Sequence, residues 1–204
     1  MAQSPDSRNP VRASWLALPP EPWKNGGGVT RTLAADSAGR WRVSIADITR
    51  NGPYSRFPGY DRVSVVLSGK GVALRGDDAA VSLRPRVPTA FGGDALLQST
   101  LAGGPVRVLN LFVRRGEAIA KVTCAGGTAG HCDVGALSPG AARRVVTRLV
   151  VAADAGRIDG LPGERGALAA GEFLLARTPF AWTPATGNGF AVILDIAVRD
   201  GDPN

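Results

Sequence analysis

Histidine is almost missing from this chain: among 204 residues there is one, His131. Serine-type nucleophilic catalysis needs an imidazole base, and none is placed to supply one. His131 lies in the segment CAGGTAGHC with the two cysteines of the chain, Cys124 and Cys132. Three soft ligands fall short of the usual zinc set, and no second Cys or His pair completes it. The segment reads as two free thiols in a glycine-rich connection, because a disulfide is not expected in a reducing compartment. No run of eighteen apolar residues exists, so no membrane span is expected. The opening MAQSPDSRNPVRAS has no apolar core of the secretory kind, and a cytoplasmic location is the expectation.

Lysine is also scarce. The formal net charge is +7, yet only Lys24, Lys70 and Lys121 are lysines, and the other 21 basic residues are arginines. They are scattered, with no block longer than the pairs Arg114-Arg115 and Arg143-Arg144. A nucleic-acid footprint clusters on one face and comes with a recognisable module, so a solvated basic surface is the better reading. Helical periodicity is nearly absent, since 15 prolines and 27 glycines leave few uninterrupted windows.

What is present is a series of short Val-, Ile-, Leu- and Phe-rich runs, among them WRVSIADI, RVSVVL, VRVLNLFV, TRLVVAA, EFLLAR and FAVILDIAV. Turn signals such as NGP, FPGY, SGKG, FGGD and TGNG separate them, which is the texture of an all-β sandwich or barrel. The runs repeat. VRVLNLFVR (106–114) aligns with AVILDIAVR (191–199) at an offset of 85, setting Asn110 on Asp195. The same offset sets Val65 on Val150, Gly71 on Gly156 and Leu83 on Leu168. A duplicated β unit of this size points to two jelly-roll barrels, each removing its sheet edges by closure. The expected boundaries are 12–123 and 141–200, with the glycine-rich stretch 124–140 as the connection.

The stretch PWKNGGGVTR (22–31) raises the question of phosphate binding. A Walker loop places its glycines before the lysine and a helix after it; here Lys24 comes first and a β-branched run follows. That chemistry is excluded. Gly26, Gly27 and Gly28 read instead as a tight entry into a strand, or as bare backbone lining a pocket toward which Lys24, Asn25 and Arg31 turn.

Together, PWKNGGGVTR, WRVSIADITRNGPYSRFPGYDRVSVVLSGKG and FGGDALLQSTLAGGPVRVLNLFVRR resemble the HutD/Ves family over about residues 12 to 115. The resemblance implies a bicupin, two tandem cupin-type jelly-roll barrels. It also implies a role in sensing or governing histidine utilisation by binding an intermediate such as urocanate or formylglutamate. Most catalytic cupins hold a metal through two or three histidines and a carboxylate. With one histidine outside the strand runs, no metal and no cofactor is expected here. Ahead of the Asn-Leu pair the family usually carries an acid and an aromatic. This chain has Val108 and Leu109, so that if the acid shapes the family's pocket, the ligand here differs from the usual one.

Alternation in WRVSIADI puts Trp41, Val43 and Ile45 on one face and Arg42, Ser44 and Ala46 on the other. Small Ser44 and Ala46 beside Arg42 leave room for a ligand and a charge to hold it, and a guanidinium fork matches a carboxylate. The candidate set for a small anionic ligand is Lys24, Asn25, Gly26, Gly27, Arg31, Arg42, Ser44, Arg62 and Asn110, with Tyr60, Phe57 and Phe91 as apolar walls. Asp47, Asp61 and Asp94 are the candidates for acid–base chemistry in an alternative, metal-independent isomerase or hydrolase. Each also has a plain structural reading: Asp47 as a turn cap, Asp61 paired with Arg62, Asp94 as part of a turn after Gly92-Gly93. Phe180 and Trp182 read as core. The second half is expected to be a structural partner, offering a face that a homodimer could use.

Overall fold

In the computed structural model, which describes residues 9–126, 130–135, 143–161 and 166–199, the apolar runs are strands and the Gly- and Pro-rich stretches are turns. In chain order the strands are β1 (Val11–Ser14), β2 (Glu21–Pro22), β3 (Gly28–Ala35), β4 (Trp41–Ile48), β5 (Gly52–Tyr54), β6 (Tyr60–Ser68), β7 (Val72–Arg75), β8 (Ala80–Leu83), β9 (Thr89–Gly92) and β10 (Leu97–Leu101). Then come β11 (Val106–Arg114), β12 (Ala118–Ala125), β13 (Gly130–Gly135), β14 (Arg143–Ala152), β15 (Gly156–Asp159), β16 (Gly166–Leu168), β17 (Glu172–Ala176), β18 (Ala181–Pro184) and β19 (Ala191–Arg199). Among the described residues one 3-10 turn, Trp15–Ala17, interrupts them, capped by the Ser14 hydroxyl, which accepts from the Leu16 amide.

The strands form four antiparallel sheets. A first large sheet has the order β2-β3-β4-β11-β6-β9 and a first small sheet the order β5-β10-β7-β8. The second half repeats this with a large sheet β1-β17-β14-β19-β12-β13 and a small sheet β16-β15-β18. The two large sheets face each other across the main apolar cluster, which includes Trp41, Val43, Ile45, Leu109, Leu149, Phe173, Phe190 and Leu194. Each large sheet turns its other face to its own small sheet. Ile48, Val66, Leu74, Leu83 and Val108 fill the first of these interiors, and Val150, Ile158, Leu168, Phe180 and Trp182 fill the second. The layers therefore run small, large, large, small, and the central strands are buried on both sides. WRVSIADI shows the consequence: odd positions enter the space between the large sheets, while Ala46 and Ile48 enter the first interior. Full burial of a side chain such as Ile45 or Leu109 contributes roughly 1.5–3 kcal/mol.

Three expectations need correction. The N-terminal strand does not belong to the first half: β1 pairs with β17, Val11 opposite Leu175 and Ser14 opposite Glu172, and Arg12 grips Glu172 at 2.6 Å. The boundary near 123 fails as well. β12 pairs with β19 of the second half, and residues 130–135, read as connection, form β13 on its other side. The alternation in AIAKVTCA, with Ala118, Ala120, Val122 and Cys124 buried, carries the strand. The remainder of the expected connection, 127–129 and 136–140, lies outside the described residues. Finally, the repeat slips by one residue away from β11 and β19. Asn110 sits between Ser44 and Ser64, whereas Asp195 sits between Lys121 and Arg148. The counterpart of Val65 is thus Leu149, both in the central cluster, and Val150 matches Val66. Gly156 likewise takes the place of Val72, since each stands opposite the matched leucine, Leu168 or Leu83.

Candidate functional site: a cationic chamber in the first half

The inner face of the first large sheet carries two polar rows where its three central strands meet. In one row Arg42, Phe112 and Arg62 are cross-strand neighbours; in the next, Ser44, Asn110 and Ser64. Above the rows lies a cavity of about 50 Å³, lined from the sheet by Arg42, Ser44, Ala46, Arg62, Asn110 and Phe112. Trp23, Thr30, Tyr54, Ser55 and Phe57 close it from the β2–β3 hairpin, the end of β5 and the segment after it.

Arg62 dominates the chemistry. It is only 4% exposed, and its guanidinium lies over four rings, at 4.6 Å from the centroids of Tyr54 and Phe112, 5.0 Å from Phe91 and 5.3 Å from Phe57. Its Nη1 donates to the Ser55 carbonyl at 3.0 Å and its Nη2 to Asn110 Oδ1 at 3.4 Å, while Nε is buried with no partner. Among the described residues no carboxylate lies within ion-pair distance of this group. Burial pushes its pKa below the usual arginine value, with Tyr54 working in the other direction. Arginine nevertheless stays charged in proteins, so the chamber holds a cation whose counter-charge is absent. The rings recover part of the cost of desolvating it, about 0.5–2 kcal/mol for a contact of this type.

Asn110 is equally unusual in its load. Its Oδ1 accepts from Ser64 Oγ at 2.7 Å, from Tyr54 Oη at 3.2 Å and from Arg62, and its Nδ2 donates to the Val108 carbonyl at 3.4 Å. Three donors converge on one neutral oxygen. Arg42, at the chamber's other side, has a buried Nε without a partner, and its Nη2 stands 3.9 Å from Glu21, a residue that is 61% exposed on its side chain. Val108, at the position of the family's usual acid, is wholly buried in the apolar interior and adds no charge.

An outer hollow of about 420 Å³ adjoins the chamber, with Trp23, Lys24 and Asn25 on one side and Pro53, Tyr54 and Ser55 on the other. Trp23, Tyr54 and Ser55 line both spaces, so the two lie on either side of the same residues. The glycine triplet shapes the hairpin that presents Lys24 and Asn25 here. The Gly26 amide donates to the Trp23 carbonyl, the Trp23 amide to the Gly28 carbonyl, and Asn25 Oδ1 accepts from the Gly27 amide, each at 2.9 Å. Gly26 has a φ of 63°, and a Cβ on Gly28 would collide with the Asp47 carbonyl. Gly26 and Gly27 line neither space; they are turn residues.

Four further expectations are corrected. Arg31 points to the opposite face of the sheet, where it and Arg107 hold Asp47 at 2.9 and 2.6 Å. Its neighbour across the strands is Ile45, so it follows the outward row. Tyr60 lies at the far end of the strands, donating to the Gly39 carbonyl at 2.7 Å under Arg114. Phe91 packs on Arg62 without reaching the chamber wall. Asp61 pairs with Arg115 at 2.7 Å, not with Arg62. Asp94, bound by Arg115 at 2.6 Å and by the Gly59 amide, has its carboxyl held at about 2, chiefly by the Arg115 hydrogen bond. All three candidate acids are therefore committed to arginines outside the chamber. Sequence reading missed Trp23, Thr30, Tyr54, Ser55 and Phe112. Phe112 was accessible to it, since it shares the parity of Asn110 along β11.

The second half answers the same geometry differently. Asp195, matching Asn110, accepts from Arg148 Nε at 2.6 Å and Nη2 at 2.9 Å, and Arg148 Nη1 donates to the Phe180 carbonyl. The cation here has an internal partner. A hollow of about 550 Å³ on the β12–β13 side of Asp195 is lined by Asp195, Lys121 and Asp133 among others, and not by Arg148. His131 is exposed on β13, and burial pushes the Cys124 and Cys132 thiols to about 12 and about 11. Among the described residues no group of three or more His, Cys, Asp or Glu side chains could hold a metal ion, and no helix is long and apolar enough to cross a membrane.

Comparison with known proteins places this architecture. Protein Ves of Citrobacter koseri is 39% identical over 114 residues, which make up 53% of this chain and 60% of that relative's own length. A conserved protein of unknown function from Pseudomonas aeruginosa PAO1 superposes with a TM-score of 0.75 at 30% identity, covering 95% of this chain and 100% of that one. HutD from Pseudomonas fluorescens SBW25, solved in a formate condition, gives a TM-score of 0.72 at 26% identity, covering 94% and 100%. A cupin 2 conserved barrel domain protein from Leptotrichia buccalis, at 11% identity and a TM-score of 0.56 over 93% of this chain and 96% of that one, shares the fold. The HutD family description itself matches residues 17–188. The all-β architecture is thus of the cupin kind, and the chain belongs to the HutD family.

Proposed function

We propose that this protein binds a small carboxylic acid in the chamber of its first half, and that this binding senses or governs histidine catabolism in the cytoplasm. The observation that carries the reading is Arg62: a buried guanidinium with no carboxylate partner, ringed by aromatics, opening on a cavity that also presents Arg42, Ser44 and Asn110. A carboxylate in that space supplies the missing counter-charge through two charge-assisted hydrogen bonds. The 50 Å³ chamber suits a group of the size of formate or acetate, or the head of a longer acid whose remainder lies in the outer hollow beside Trp23 and Lys24. The link to histidine breakdown rests on the family, and urocanate and formylglutamate are the acids it nominates. No cofactor, nucleic acid or membrane takes part in this reading. No observation favours the catalytic alternative, since Asp47, Asp61 and Asp94 lie outside the chamber.

The test is thermal unfolding with formate, urocanate, formylglutamate and glutamate, against the corresponding neutral amides. Ligand at a hundred times its Kd stabilises by about 2.7 kcal/mol. For a chain of this size that is a rise in Tm of roughly 5–10 °C. A saturable rise with at least one acid and none with its amide is expected. Identical curves with every acid would sink the proposal.

A further inference from the structure

Each half brings an arginine to the polar residue in the middle of its central strand, from different positions: Arg148 stands where the first half has Ser64, two residues on from Arg62. Arg148 uses Nη1 on a main-chain carbonyl, that of Phe180, and turns its Nε–Nη2 edge to the Asp195 carboxylate. Arg62 also uses Nη1 on a main-chain carbonyl, that of Ser55. Its Nε–Nη2 edge, however, is nearly idle: Nε has no partner, and Nη2 reaches Asn110 only at 3.4 Å. The residues facing these edges, Asn110 and Asp195, occupy the same register on the central strands β11 and β19. Asparagine and aspartate have the same shape and differ by one charge. A hollow adjoins each: the 50 Å³ chamber beside Asn110 and the 550 Å³ hollow beside Asp195.

We infer that this position decides whether each half takes an acid from outside: Asn110 leaves the Nε–Nη2 edge of Arg62 to a ligand carboxylate, and Asp195 fills the same edge of Arg148 as a built-in substitute. The inference rests on the function proposed above for the first half and adds two things to it. It fixes the docking edge of the ligand, side-on to Arg62 and next to Asn110. It also gives the second half its own ion pair at the matching central position, made by an arginine, Arg148, that stands where the first half has Ser64.

Formate is the probe, because it is small enough for either space, and the readout is the number of formate ions bound per full-length chain in a calorimetric titration. Wild type is expected to bind one. Asn110→Asp is expected to bind none. Asp195→Asn frees Arg148 and is expected to gain one site. Retention of the wild-type affinity in Asn110→Asp, or no added site in a folded Asp195→Asn, overturns the inference. If wild type binds no acid, the functional proposal fails, but Asp195→Asn still decides the inference: a new site supports it, and none refutes it. Should Asn110→Asp not fold, as judged by a missing unfolding transition, the gain of a site in Asp195→Asn carries the decision.

Discussion

Replacement of Arg62 by methionine separates a ligand-holding residue from a fold-holding one. The stem of the side chain stays among the four rings, and the charged head disappears. Lost are the donations to Ser55 and Asn110, the first at 3.0 Å and the second longer, at 3.4 Å. Hydrogen bonds to charged groups contribute about 1.5–3 kcal/mol each, and the longer one belongs at or below the bottom of that range. The cation–ring contacts add about 0.5–2 kcal/mol. Against these stands the release of an unpaired buried charge, whose desolvation costs several kcal/mol. The terms offset, so the net change in stability is within about 2 kcal/mol, which is a shift in Tm of no more than roughly 8 °C. Binding behaves otherwise. Without the fork, a carboxylate loses its charge-assisted pair, and a loss of about 3 kcal/mol is more than a hundredfold in Kd. Leu111→Ala is the control: Leu111 is buried in the central cluster away from the chamber, and its truncation costs about 2–5 kcal/mol while leaving acid binding in place. Scanning calorimetry with and without acid measures both quantities. The reasoning fails if Arg62→Met unfolds as early as Leu111→Ala, or if it keeps the stabilisation by acid.

Filling the chamber is a second perturbation. Ala46 lines it, and Ala46→Val adds two methyl groups to a 50 Å³ space; acid binding should vanish while Tm moves by no more than the equivalent of about 1–3 kcal/mol, as calorimetry can check. Acid stability gives a third expectation. The Asp94 carboxyl is held at about 2, below its ordinary 3.8, so its contribution is present above that ordinary value and is lost as pH falls toward 2. In a melting series from pH 5 to pH 2, Asp94→Asn should flatten the fall in Tm over that window, and a slope equal to that of wild type would contradict the assignment.

Much of the fold was legible because its signals are local. Alternation in WRVSIADI, with turn chemistry between the runs, specifies strands whichever sheet they join. Pairing across the halves was not legible: nothing in VRAS announces that β1 completes the second large sheet, since that depends on Leu174 and Leu175 lying beside an open edge 160 residues away. The pairing of β12 with β13 was hidden by the glycines of the sequence around them, which read as a linker. At the site, the parity of β4 correctly set Arg42 and Ser44 apart from Val43 and Ile45, and the structure brings Arg62 and Asn110 beside them. Arg31 was placed by its nearness to the glycine triplet and not by parity; standing opposite Ile45, it takes that residue's face and turns away from the chamber. Tyr54 ends the three-residue strand β5 and Ser55 follows it, a stretch too short for any periodicity to be read. The contrast between Asn110 and Asp195 was visible as one substitution in a repeat, but its meaning depends on which arginine edge each residue faces.

A crystal structure of the full chain with urocanate or formylglutamate tests the central claim most directly. A carboxylate is expected within about 3 Å of both Nε and Nη2 of Arg62, with the rest of the molecule passing between Trp23 and Tyr54 toward Lys24. An acid bound elsewhere while the chamber holds only water, or an Arg62 already matched by a carboxylate of the protein, would contradict it.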